Sequence, residues 1–261
     1  MSVRANKSVT LMGPADIDGD TLEGFYAELE DRLRDSPGEL VLDCSLLEHT
    51  ASSHINTLWQ ARNRCDEAGV MVKLTSVTYG LERVLKVLDL YDFFAAERDG
   101  VEARAGLPGL KVDMAAPPVF EIELEATPEG IGQAMEDFHA FLMELNLGEI
   151  PAFDMETVFY EVTTNIRLHG QLGAGESISF RASPQAGVFR LRFEDSGPRF
   201  DPTSDRTEFD PRKAMKSRQR QGFGLAIIRR LVDRISYDRH DQRLNVLNID
   251  KRIGDNGGRH S

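Results

Sequence analysis

The chain has 261 residues, 41% of them hydrophobic and 28% charged, with a formal net charge of -12. That is enough apolar material for two modest domains with their own cores. The acidic balance excludes a general nucleic-acid binder, because phosphate contacts need a net basic surface.

The expected elements alternate at first. SVTLMG reads as a short strand, and DTLEGFYAELEDRLRDS as a helix with Leu22, Phe25, Tyr26, Leu29 and Leu33 on one face. ELVLDCS is a buried strand. SSHINTLWQARNRCDEAG is a helix with Ser52 or Ser53 as its N-cap, an apolar stripe of Ile55, Leu58 and Trp59, and Gly69 as its stop. VMVKLTS is a third strand, and YGLERVLKVLDLYDFF a helix. Strands alternating with helices point to a largely parallel α/β layer. Cys44 and Cys65 sit in these apolar segments without metal-ligand spacing, as small buried residues of a reducing compartment do. MSVRANKSVTLMGP lacks the apolar core of a secretory signal and no run is long enough to span a bilayer, so a cytoplasmic location without membrane contact is expected.

Glu97 to Pro118 is rich in Gly and Pro and has no period, which reads as the edge of one domain and a linker. VFEIELEA then opens a second region as a strand. Thr127-Pro128 starts a helix with Thr as N-cap and Pro at its first position, and its stripe runs Ile131, Ala134, Phe138, Phe141, Leu142 and Leu145. A second helix covers about Phe153 to Leu168. SISFRAS and VFRLRFED form a hairpin joined by Pro184-Gln185-Ala186-Gly187, with Phe189, Leu191 and Phe193 on its buried face. After a polar segment from Thr203 to Gln221, GFGLAIIRRLVDRISY reads as a helix feeding a strand. RLNVLNIDKRI is the last strand, and GDNGGRHS a loose tail.

Four features of the second region carry chemistry together. Glu161, Asn165 and His169 stand at i, i+4 and i+8 on one helical face, opposite Phe159, Val162 and Ile166. Asp195 and Gly197 end a buried strand. Gly222, Phe223, Gly224 and Leu225 open a helix whose unsatisfied amides suit phosphate. The preceding segment gathers Arg212, Lys213, Lys216, Arg218 and Arg220, a basic cluster in an acidic chain.

In order and spacing, EVTTN, DSGPRFDP and GFGLAII resemble the N box and the two glycine boxes of the GHKL (Bergerat-fold) ATPases, over roughly Val119 to Ile253. The FDP ending and the short interval between the glycine boxes resemble the anti-sigma-factor serine kinases within that superfamily. The resemblance implies ATP and Mg²⁺. It gives Asp195 the adenine amino group, Gly197 a thin floor under the base, Asn165 the Mg²⁺, and Glu161 the proton of the attacking serine. Lys216, Arg218, Arg220, Gly222, Phe223, Gly224 and Leu225 then surround the nucleotide, the basic ones as a lid. His169 matches the family's histidine, in a packing or a phosphate role.

LVLDCS and TASSHINTL resemble a STAS domain, the fold of anti-sigma-factor antagonists, over about Ser8 to Glu97. The family's phosphoacceptor serine falls on Ser53, with Ser52 beside it, but its Asp-Ser-Ser-Gly pattern is Ala51-Ser52-Ser53-His54 here. Both serines also read simply as helix caps. The expected fold is therefore two domains: an N-terminal α/β STAS-like domain over 1–105 and, after a linker at 106–118, a C-terminal α+β two-layer sandwich of Bergerat type over 119–255, with a tail at 256–261. The implied function is an ATP-dependent serine kinase and anti-sigma factor of a partner-switching system. Its partners would be a STAS-type antagonist, a sigma factor or a second copy in a homodimer. The alternative is a non-catalytic nucleotide-binding module that sequesters a partner.

Overall fold

The computed structural model describes residues 8–14, 19–35, 37–47, 50–94, 117–173, 175–185, 187–204, 209–216, 222–241 and 243–253. The expected linker, except 117 and 118, and the expected tail lie outside them. The chain divides into two compact units: residues 1–103 with Phe209–Phe223, and 104–208 with 224–261.

In the first unit, β1 (Ser8–Met12), β2 (Glu39–Asp43) and β3 (Met71–Thr75) form a 3-stranded parallel sheet in the order β1-β2-β3. Parallel neighbours need crossovers, which α1 (Gly19–Arg34) and α2 (Ser52–Ala68) supply. Helix α3 (Tyr79–Val87) follows, its start capped by Thr78 Oγ1 accepting from Leu81 N. Leu11, Leu40, Leu42 and Leu74 from the strands are buried together with Leu29, Ile55 and Leu85 from the helices. Cys44 and Cys65 are free and fully buried, and burial, followed by the neighbouring Asp43 and Asp66 charges, pushes each thiol up to about 12.

The start of α2 corrects one expectation. Its N-cap is Ala51, not Ser52 or Ser53. His54 Nδ1 accepts from Ala51 N at 3.1 Å, so an imidazole supplies the returning half of a capping box. Ser52 and Ser53 lie in the first turn, both half-buried. Gly69 stops the helix as expected, in the left-handed region at φ 70.

Phe209–Phe223 lies in the second half of the sequence but groups with this first unit. It contains the short helix α6 (Pro211–Lys216). Trp59 Nε1 donates to Met215 O at 3.1 Å, and Arg212 Nε lies 2.8 Å from Asp89 O and 3.1 Å from its carboxylate. Ala214 and Met215 are buried.

The second unit is a 5-stranded antiparallel sheet in the order β4-β5-β6-β8-β7. Its strands are β4 (Phe120–Glu125), β5 (Ser177–Gln185), β6 (Val188–Asp195), β7 (Arg234–His240) and β8 (Leu244–Arg252). Helices α4 (Pro128–Glu144), α5 (Glu149–His169) and α7 (Phe223–Leu231) complete it. Phe138 of α4, Phe159 of α5, Phe180 of β5 and Phe193 of β6 meet with ring centroids between 4.7 and 5.4 Å, which makes the core of an α+β two-layer sandwich. Thr127 caps α4 as expected, accepting from Gly130 N at 3.0 Å.

Two boundaries differ from expectation. Helix α5 begins at Glu149, because Pro151 falls in its first turn, where a missing N–H costs nothing. Strand β5 continues through Pro184 to Gln185. Its pairing with β4 ends at Ala182, so Pro184 has a ladder partner only on the β6 side and its missing donor is tolerated.

Candidate nucleotide-binding site

One pocket of the second unit, about 540 Å³ with its mouth included, collects the chemistry the sequence singles out. Its walls are apolar, from Val162 and Ile166 of α5, Leu225 and Ile228 of α7 and Leu247 of β8. Its polar groups are Asn165, His169, Asp195, Tyr237 and Asn245. An apolar pocket with a few convergent polar groups is what a heteroaromatic base requires.

Helix α5 shapes one side. Val162, Asn165, Ile166 and His169 face the pocket together, so Val162 and Ile166 are not opposite Asn165 as expected but on its own face, at the i, i+3, i+4, i+7 spacing of one stripe. Asn165 is half-buried, and among the described residues nothing hydrogen-bonds its side chain. Glu161 is only 2% exposed and does not line the pocket. His169 is exposed and stacks on Phe200, 6.2 Å between centroids and 26° between planes, which is a packing contact at the pocket rim.

The end of β6 supplies the carboxylate. Asp195 Oδ1 accepts from Gly197 N at 2.9 Å, so the residue shapes its own turn. Gly197 is fixed by its surroundings, since a Cβ there would come within 2.3 Å of Gly170 O at the end of α5. The same junction is braced by Glu176, which accepts from Gly173 N at 2.5 Å and from Ser196 Oγ at 2.8 Å. Those donors hold its carboxyl below the ordinary range. Asp201 of the FDP turn is spent locally. Its Oδ1 accepts from Thr203 N at 2.8 Å and Thr203 Oγ1 at 2.6 Å. Burial alone would raise its pKa, but the Thr203 bonds and the Arg199 charge outweigh it and leave it lowered.

Of the second glycine box, Leu225 lines the pocket, while Phe223 is buried edge-on against Phe209 with centroids 5.1 Å apart. Gly222 has φ 101, and a Cβ there would meet the Phe209 ring at 2.7 Å, so both its backbone and its space demand glycine. Gly224 does not line the pocket. The Lys216 side chain, Arg218 and Arg220 lie outside the described residues.

Sequence reasoning missed Asn245 and Tyr237. Asn245 is 4% exposed and donates from Nδ2 to Asp195 Oδ1 at 2.8 Å. Tyr237 reaches Asn245 Oδ1 through its hydroxyl at 2.7 Å. The one available signal was a polar residue inside the apolar strand RLNVLNIDKRI. Among the described residues no group of three or more His, Cys, Asp or Glu is placed to hold a metal. A Mg²⁺ carried by nucleotide phosphates keeps most of its ligands as water and phosphate and needs one or two protein oxygens. The unengaged Asn165 amide offers one.

Residues 124–251 match the family described as Histidine kinase-like ATPase domain, and residues 4–95 match the one described as Mlab, STAS domain. The chain thus carries a STAS domain followed by a histidine kinase-like ATPase domain, a nucleotide-binding class. Among solved structures it is similar to the crystal structure of the SiaB-SiaC complex from Pseudomonas aeruginosa, at 16% identity and a TM-score of 0.42, over 50% of this chain and 88% of that one. No curated protein matches the chain. No helix among the described residues is long and apolar enough to cross a membrane.

Proposed function

We propose that the protein is an ATP-dependent protein serine kinase of a partner-switching system, acting on a separate STAS-type antagonist and holding a sigma factor when that antagonist is absent. One observation carries the reading: a single pocket in an ATPase domain is lined by both Asp195, which we assign to the adenine amino group, and the unengaged Asn165 amide. Asn165 would hold Mg²⁺, which when bound neutralises phosphate charge. In the transfer, the serine oxygen forms a bond to the γ-phosphorus, the bond to the β–γ bridging oxygen breaks, and ADP leaves. The hydroxyl proton passes to Glu161. Such transfer depends mainly on positioning and on charge neutralisation.

The burial of Glu161 favours the second reading, a nucleotide-binding module that docks a partner without catalysis, since a general base must reach the hydroxyl it deprotonates. The two readings separate in one experiment. The full chain is incubated with radiolabelled ATP and Mg²⁺, with and without a STAS protein, and phosphosites are mapped. For the kinase, Glu161→Gln should retain ATP binding and lose transfer by about a hundredfold or more, the usual span of a general base. Transfer at the parent rate would remove Glu161 from that role, and ATP binding without any transfer would leave the docking module. Ser53, without the family's Asp and Gly around it, should label slowly compared with a separate partner.

A further inference from the structure

We propose that Asn245 is a positioning residue that sets which purine the pocket accepts, by holding Asp195 in place and keeping it apart from Arg239. This rests on the nucleotide reading above and adds a base-selection device carried by β7 and β8, outside the three motifs.

The sheet register creates the device. Asp195 of β6 is paired with Asn245 of β8, and Asn245 is paired in turn with Arg239 of β7. A carboxylate, an amide and a guanidinium therefore stand in one row across three neighbouring strands. Tyr237, two residues before Arg239, shares its face of β7. Cross-strand neighbours of this kind are the contacts a sheet enforces most strictly.

Chemistry fixes the direction of the amide. Arg239 Nη1 lies 2.6 Å from Asn245 Oδ1, and a guanidinium only donates. The other end of the amide faces Asp195 Oδ1 at 2.8 Å, Gly197 O at 3.1 Å and Pro198 O at 3.2 Å, oxygens that accept. Exchanging O and N would set oxygen against three oxygens and nitrogen against a cation. The amide thus has one orientation, decided by its partners. Its oxygen receives Arg239 and Tyr237, and its nitrogen donates to the turn, so both ends are used.

Two consequences follow for Asp195. Its Oδ1 is taken by Asn245 Nδ2 and Gly197 N, and among the described residues no hydrogen bond reaches Oδ2. The oxygen left for a ligand in the pocket accepts, and selects an exocyclic N–H at position 6, which a 6-amino purine has and a 6-oxo purine, with a carbonyl there, lacks. Asn245 also stands between Asp195 and Arg239. Arg239 Nη1 already reaches Gly197 O at 3.2 Å, beside the carboxylate. With the amide removed, the guanidinium and carboxylate become direct neighbours, and a charge-assisted pair between them competes with the base for Asp195.

The test is calorimetric titration of the full chain with ATP and with ITP, which differ at position 6 of the ring, for the parent, Asn245→Ala and Asn245→Asp. The aspartate variant keeps the volume and the Arg239 contact while deleting the N–H donor, so it carries the test if the alanine variant does not melt cooperatively. The parent should prefer ATP. Both variants should narrow the ATP-to-ITP preference by about tenfold, through loss of ATP affinity with ITP affinity nearly unchanged. Asn245→Thr, which restores a hydroxyl donor, should recover part of the preference. If the variants weaken ATP and ITP by the same factor, or leave the preference intact, Asn245 only supports the fold and the proposal is overturned. A parent that binds both equally overturns it while the nucleotide reading stands. A parent that binds neither overturns the nucleotide reading and this proposal with it.

Discussion

Gly197 shows how much of the site depends on single atoms. Its place against the Gly170 carbonyl lets the turn after β6 close onto the end of α5, and that closure brings Asp195 and Asn165 to one pocket. Gly197→Ala would put a methyl group 2.3 Å from a backbone oxygen, and backbone cannot rotate away as a flexible side chain can. The turn or the helix end must shift. Overpacking of this kind costs about 1–3 kcal/mol. The variant should therefore unfold at lower urea concentration and bind ATP more weakly than its stability loss alone explains. Calorimetry on the folded variant at low temperature checks this, and parental affinity there would show that the turn tolerates the methyl group.

At the scale of the element, α5 separates two tasks on one helix. Its buried face packs Met155, Val158 and Phe159 into the core, and Val162, Asn165, Ile166 and His169 face the pocket. Asn165 is half-buried and makes no side-chain hydrogen bond among the described residues, so the fold does not depend on it. Asn165→Ala should change unfolding free energy by no more than about 0.5 kcal/mol, as substitutions away from buried features do. Its effect should appear in Mg²⁺ dependence: adding Mg²⁺ should strengthen ATP binding by the parent and not by the variant. Equal Mg²⁺ enhancement in both would take Asn165 out of the metal site. The motif EVTTN made these side chains visible in sequence, and helical periodicity placed Glu161 and Asn165 near one another. Periodicity alone set Val162 and Ile166 on the wrong side, because a helix packed on more than one side has apolar residues around most of its circumference.

At the scale of the whole molecule, Phe209–Phe223 leaves the half of the sequence it belongs to and packs with the STAS fold. Trp59 is the chain's 1 tryptophan, and its indole N–H holds the carbonyl of the buried Met215. Trp59→Phe keeps an aromatic ring but removes that donor. A buried carbonyl left without its partner costs about 1–3 kcal/mol, and the cost falls on the anchoring of α6. Trypsin should then cut faster after Arg212 or Lys213, both exposed, under conditions where the rest of the variant stays folded. Cleavage at the parental rate would mean that Arg212 and Asp89 alone seat this helix.

The sequence by itself determined the local and ordered features. It showed the alternation of strands and helices in the first region, the Thr127 cap, the Gly69 stop, and the three motifs whose order and spacing mark a Bergerat-type ATPase. These follow from short-range physics or from spacing along one chain. The tertiary structure decided what depends on contacts between distant segments. Asn245 meets Asp195 only because β6 and β8 pair in one register across 50 residues, and a slip of one residue would turn it to the other face of the sheet. The cap of α2 depended on an imidazole folding back onto Ala51, which a search for serine caps overlooks. Trp59 and Met215 are 156 residues apart, and nothing in either segment's own pattern brings them together. Only the packed chain does.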